Sequence, residues 1–169
     1  MAFLLTSPDI AAQSMITPNY VFEACGGKNL SPDLRWSGAP EGTKSFAITV
    51  YDPDAPTGSG WWHWLVYNIP AKAAQLQRGA SSSDNVLPPG TRQGINDYSQ
   101  LGYGGPCPPT GSGAHHYVFT IYALKVERLE LNANASGALI GFNLNANMLA
   151  KASFTALFSY NARPGKTGK

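Results

Sequence analysis

Charge is scarce in this chain: 13% of its 169 residues are Asp, Glu, Lys or Arg, and the formal net charge is only +2. The Lys and Arg residues are scattered from Lys28 onward and gather only in the Arg163, Lys166 and Lys169 tail, so there is no electrostatic footprint for nucleic acid. No apolar run approaches the length of a membrane span. Met1 to Asp9 lacks both the basic region and the apolar run of a signal peptide, which makes the expected compartment cytoplasmic. Cysteine is equally sparse. Cys25 and Cys107 are expected to be reduced thiols in that compartment, although a Cys25 to Cys107 disulfide stays open. Neither belongs to a Cys-x-x-Cys pair and no His-Glu-x-x-His spacing occurs, so neither a metal nor a cofactor is expected. A Gly-x-Ser-x-Gly motif is also missing, and no serine is tied by sequence to a histidine. Gly58-Ser59-Gly60 is a turn rather than a dinucleotide fingerprint.

What the chain does hold is apolar residues at 43%, with 18 Gly and 13 Pro. That composition suits one domain over residues 1–169, able to bury a full core and made of many short strands joined by tight turns. Phe46, Ile48 and Val50 alternate with Ala47, Thr49 and Tyr51, a strand pattern that must stop at Asp52, because Pro53 and Pro56 cannot serve a central ladder. After the turn, a second run is expected to place Trp61, His63, Leu65, Tyr67 and Ile69 on one face. His63 then points with apolar neighbours, near a carboxylate at the mouth of the paired strand, as in the floor of a small polar pocket.

The stretch from Gly102 to Tyr117 is the partner of the first. Its glycines let backbone N–H groups approach a ligand, its prolines stiffen it, and it has the composition of an anion nest. Beyond it His115, Tyr117, Phe119, Ile121 and Ala123 fall on one face of a strand. Elsewhere, Tyr20 to Glu23 and Leu34 to Trp36 read as short strands, and Ala71 to Leu76 is too short for a helix. Residues 81–98 read as a long turn-rich loop. The helical spacing of Leu144, Met148, Ala152 and Thr155 predicts one C-terminal helix near 145–155, followed by a strand at Phe158 to Tyr160 and a frayed tail from Arg163.

Two motifs, Asp52-Pro53-Asp54-Ala55-Pro56 with Trp62-His63-Trp64, and Gly105-Pro106-Cys107-Pro108-Pro109 with His115-His116-Tyr117, resemble the phosphatidylethanolamine-binding protein family, and most closely its bacterial branch, which is similar to the kinase-inhibitor proteins of animals. Asn29 to Pro32, Gly94 to Tyr98 and Phe119 to Leu124 extend the resemblance over about Asn29 to Lys151. It implies a mainly β fold, with a large central antiparallel sheet packed against a smaller one and few helices, and a small cavity that binds phosphate-like and carboxylate anions. Carried over by position, the cavity residues are Asp52, His63, His115 and Tyr117, with Ala55, Trp61 or Trp62, and Gly105 close by.

The function expected on these grounds is binding of a small anion or phosphorylated headgroup, not catalysis. The partners are that ligand and, at the pocket rim, a protein such as a kinase; a homodimer is compatible with the same reading. The alternative is a small-molecule enzyme using Asp52 with His63 or His115 as acid and base.

Overall fold

The computed structural model describes residues 1–83 and 86–161. The loop positions Asp84 and Asn85 and the tail from Arg163 lie outside the described residues. Alternating apolar residues form three long strands: β3 (Ser45–Asp52), β4 (Trp61–Pro70) and β7 (His115–Leu124). With the short β6 (Arg92–Gln93) and the long β8 (Met148–Phe158) they make an antiparallel sheet in the order β6-β4-β3-β7-β8. A smaller antiparallel sheet holds β1 (Leu4–Thr6), β2 (Leu34–Ser37) and β5 (Gln75–Leu76) in the order β1-β2-β5. The fold is thus mainly β with two antiparallel sheets, one α-helix and three 3-10 turns among the described residues.

The large sheet is apolar on both faces, and each face has its own cover. Phe46, Ile48, Val50, Trp64, Val66, Phe119 and Ile121 pack with Leu5, Leu34, Trp36 and Leu76 of the small sheet. On the other face Ala47, Leu65, Tyr67, Tyr122 and Leu124 pack with Ile140 and Leu144 of helix α1 (Gly137–Asn147). Removing these side chains from water is the main favourable term holding the layers together, at about 25 cal/mol per Å² of apolar surface.

Two bulges in the β3–β4 pair decide which residues of β4 face the pocket. Val50 pairs with Trp64 but Tyr51 pairs with Trp62, so His63 is the extra residue; a second break lies between Phe46 and Ile48, where Asn68 takes a left-handed φ of 59°. Each bulge turns the strand over by one residue. The shared face expected for Trp61, His63, Leu65, Tyr67 and Ile69 is therefore broken. Trp61 and His63 face one side, Leu65 and Tyr67 face α1, and Ile69 returns to the small-sheet side.

The helix is also displaced from its expected place. It starts at the Ser136 cap, whose side chain accepts from Leu139 N–H, and ends at Asn147. Residues 148–158, expected mostly as helix, form β8 instead and pair with β7 from Leu124↔Met148 to His115↔Phe158. A long strand with an open ladder edge outweighs a helical spacing of small residues, because every backbone group of β7 needs a partner. Tyr20 to Glu23, expected as a strand, lies across two 3-10 turns, Pro18–Tyr20 and Glu23–Cys25.

Cys25 and Cys107 are joined in a disulfide, which corrects the expectation of two reduced thiols. The reason is spatial: the turn at Glu23–Cys25 and the loop after Gly105 meet, with the two Cα atoms 5.5 Å apart, well within bridging range.

Candidate functional site

A cavity of about 250 Å³ opens where β3 ends and β4 and β7 begin. Asp52, Ala55, Trp61, His63, His115 and Tyr117 line it, together with Pro56, Thr57, Tyr98, Cys107, Pro108 and Pro109. Strand termini supply its polar floor, and proline-rich loops supply a wall that cannot collapse inward. Trp62 does not line this cavity. The bulge at His63 puts it on the opposite face, over Gly137 and Gly141 of α1. Gly105 does not line it either: its N–H donates to Asn29 Oδ1 at 2.7 Å and its carbonyl accepts from Tyr98 Oη at 2.8 Å. Gly104 N–H is likewise taken, by the His63 carbonyl. These two amides are occupied in the fold and are not free to form a nest.

Gly105 serves close approach instead. A Cβ there would strike the Tyr20 carbonyl and crowd Phe22 N, so only glycine lets this loop lie against the N-terminal turns. Phe22 N–H to Pro106 O and the disulfide fasten the same loop one and two residues on. The Gly94 to Tyr98 segment has a matching purpose. Asp97 Oδ2 accepts from Trp62 N–H at 2.7 Å, and Asn96 Oδ1 accepts from Tyr98 N–H at 2.9 Å. Tyr98 is thereby aimed into the cavity wall, stacked on Phe22 with ring centroids 4.0 Å apart.

The histidines differ in their settings. His63 is 2% exposed, and its Nδ1 lies 2.6 Å from the Gly104 carbonyl oxygen. A carbonyl can only accept, so the ring proton sits on Nδ1 and Nε2 carries a lone pair. Burial pushes its pKa down from 6.5 to about 4, against the opposing pull of that carbonyl and of the Asp52 charge. His115 is also buried, with Nδ1 2.7 Å from Asp52 Oδ2, while Asp52 Oδ1 accepts from Asp54 N–H at 2.8 Å. His116 points outward to Asp54, Nδ1 to Oδ2 at 2.7 Å, and its backbone N–H and ring hold the Asp54 carboxyl below the usual carboxylate range.

Two cavity donors lack partners. Tyr117 Oη and Trp61 Nε1 are buried and make no hydrogen bond among the described residues. Burial raises the Tyr117 pKa above that of a free phenol, with the Asp52 charge adding to the effect, so the hydroxyl keeps its proton. An unpaired buried donor costs about 1–3 kcal/mol, and here both unpaired donors line one cavity.

A model of the phosphatidylethanolamine-binding protein family matches residues 6–159. The chain belongs to that family. It is 52% identical over 160 residues to the UPF0098 protein YbcL of Escherichia coli, covering 93% of this chain and 87% of the relative. It is 46% identical over 157 residues to the UPF0098 protein YbhB of the same organism, covering 92% and 99%. The crystal structure of E. coli YbcL, described as a member of the mammalian family, superposes with a TM-score of 0.92 over 95% of this chain and all of that one, at 51% identity.

Sequence reasoning missed Tyr98 and Ser112. Tyr98 sits in a stretch noticed only for its likeness to the family. Ser112 stands 3.0 Å from His115 Nε2, and the signal was available as a serine three residues before a histidine on a glycine turn.

Proposed function

We propose that the cavity binds a small oxyanion, such as a phosphate monoester or a carboxylate. The observation that carries this reading is Tyr117 Oη, buried, on a residue lining the cavity and without a partner among the described residues, together with Trp61 Nε1 of the same cavity, likewise buried and unpaired. A ligand oxygen accepting from both removes the cost of two orphaned donors. Among the described residues no Lys or Arg lines the cavity, so the charge is met by donors rather than by a fixed cation. His63 refines the ligand further. Its Nε2 lone pair must meet a proton, which the ligand brings as a P–OH or which the ring takes up on binding. Ala55 and the Pro108-Pro109 wall line the cavity, with the exposed Asp54 next to Ala55 in the chain, and there a larger headgroup or a protein partner would meet the chain.

The disulfide also bears on location. Such bonds persist in oxidising surroundings, which favours an oxidising compartment over the cytoplasmic one, and no helix among the described residues is long and apolar enough to cross a membrane. The test of binding is a titration with sulfate and with phosphoethanolamine, followed by tryptophan fluorescence. Tyr117→Phe should bind roughly 10- to 100-fold more weakly, the value of about 1.5–3 kcal/mol for a hydrogen bond to a charged group. Equal affinity in wild type and Tyr117→Phe would sink the reading.

A further inference from the structure

The cavity wall carries an arrangement that anion binding leaves unused. Ser112 does not itself line the cavity but lies against His115, which does, and it sits between Gly111 and Gly113, whose φ values of 77° and 84° are left-handed. A Cβ at either glycine would meet nothing, so it is the turn itself that requires them. Ser112 N–H to Pro109 O and Gly111 N–H to Tyr160 O hold the turn in place. From there Ser112 Oγ, His115 Nε2, His115 Nδ1 and Asp52 Oδ2 follow one another at 3.0 and 2.7 Å. The serine is exposed, while the histidine and the carboxylate are 4% and 2% exposed.

The proton positions follow from what each atom can do. A carboxylate oxygen only accepts, so the His115 proton lies on Nδ1, and the neutral ring offers a lone pair at Nε2. Ser112 Oγ is within reach of two acceptors, that lone pair and the Pro109 carbonyl at 2.8 Å, and it has one proton to give. With a protonated ring the hydroxyl donates to Pro109. With a neutral ring it can donate to Nε2, which is the state in which a serine is activated as a nucleophile.

We propose that Ser112, His115 and Asp52 form an acyl-transfer triad that hydrolyses small, uncharged carboxylic esters whose acyl group enters the cavity. Ala55, Pro56, Trp61, Tyr98 and Pro108 offer that group a largely apolar wall, and Tyr117 Oη and Trp61 Nε1 are unpaired donors available to the carbonyl oxygen. Ser112 Oγ bonds to the carbonyl carbon as its proton passes to His115 Nε2, and the C=O π pair moves onto oxygen. Collapse of that intermediate breaks the bond to the alkoxy group, which leaves as the alcohol with the proton from Nε2. Water then adds to the acyl-serine, gives its proton to Nε2, and the acid departs as Ser112 recovers its hydrogen. Asp52 holds the ring and balances the charge of the imidazolium.

The whole chain, with its disulfide intact, is incubated with a fluorophosphonate and, separately, with p-nitrophenyl acetate and butyrate. The expected result is one phosphonyl adduct, mapped by peptide mass to Ser112, and ester hydrolysis above the buffer blank. Hydrolysis should fall at least about a hundredfold in Ser112→Ala. Asp52→Asn should slow labelling and alter the pH profile, which a purely structural carboxylate would not do. A folded wild-type chain with no adduct at Ser112, or hydrolysis that persists in Ser112→Ala, overturns the triad. The reading shares Tyr117 with anion binding, and the sulfate titration separates them: binding without an adduct removes the triad alone, and an adduct without sulfate binding removes the anion site alone.

Discussion

Lowering the pH should destabilise this protein through His63, and the size of the effect can be worked out. The folded state holds the His63 pKa at about 4, against 6.5 for a free side chain. Between those values the unfolded chain binds a proton that the folded chain refuses, so stability rises with pH across the interval. The contribution is fully present above pH 6.5 and is lost progressively as pH falls toward 4. A difference of about 2.5 pKa units corresponds to roughly 3.4 kcal/mol in the limit, and at about pH 4.5 roughly 2.5 kcal/mol of it has gone. Urea denaturation of wild type and His63→Gln at about pH 7.5 and pH 4.5 isolates this part, because every other titrating group is common to both chains. The wild type should lose about 2.5 kcal/mol more than the variant over that span. Ligand should act in the opposite direction: an anion that contacts His63 favours its charged form, so sulfate affinity should climb as pH falls, by up to about tenfold per pH unit for one linked proton. Equal pH dependence in wild type and His63→Gln, together with a flat sulfate affinity, would refute both the burial argument and the role given to this ring.

Opening the Cys25–Cys107 bond, by reductant or by the double Cys→Ser change, should lower stability by about 4.5 kcal/mol in the chain-entropy account, since the bond spans 82 residues; urea midpoints with a thiol count would check this, and an unchanged midpoint would contradict it. Cys107 also lines the cavity, so the same samples should bind sulfate more weakly. Gly105→Ala should cost about 1–3 kcal/mol, because the added methyl meets the Tyr20 carbonyl rather than a side chain that can swing away. Its melting curve and its sulfate affinity should both fall, whereas a substitution that merely removed one ligand contact would change only the second.

Much of the fold could be read from the sequence because its strands carry strong period-2 patterns. Phe46, Ile48 and Val50 on β3 and Tyr117, Phe119, Ile121 and Ala123 on β7 do face the small sheet, as alternation requires. The failures fall where a long-range pairing overrides a local pattern. Nothing local to Trp61 to Ile69 announces two extra residues relative to β3, yet each one reverses the side chains beyond it. Residues 148–158 carry a helical spacing that holds only while β7 is left out of account. Once β7 is a strand with a bare edge, its backbone needs the ladder that β8 provides.

The site was legible in its residue types and less so in their partners. Asp52, Ala55, His63, His115 and Tyr117 come together at one cavity because Asp52 ends one strand, while His63 and His115 lie at or near the starts of its two neighbours, an antiparallel arrangement that sets such ends side by side. A sequence does not show which groups are already satisfied. The loop glycines looked like free amides, and two of them are bonded within the fold, to the His63 carbonyl and to Asn29. His63 and His115 looked interchangeable as partners of Asp52, and they are held differently: His63 donates to a backbone carbonyl, and His115 is bound to a carboxylate on one nitrogen and a serine on the other. That difference decides the chemistry. A ring tied to a carbonyl keeps an acceptor free for a ligand's proton, whereas a ring between Asp52 and Ser112 is placed to pull a proton from a hydroxyl, so the proposed binding and the proposed acyl transfer draw on different histidines of one cavity.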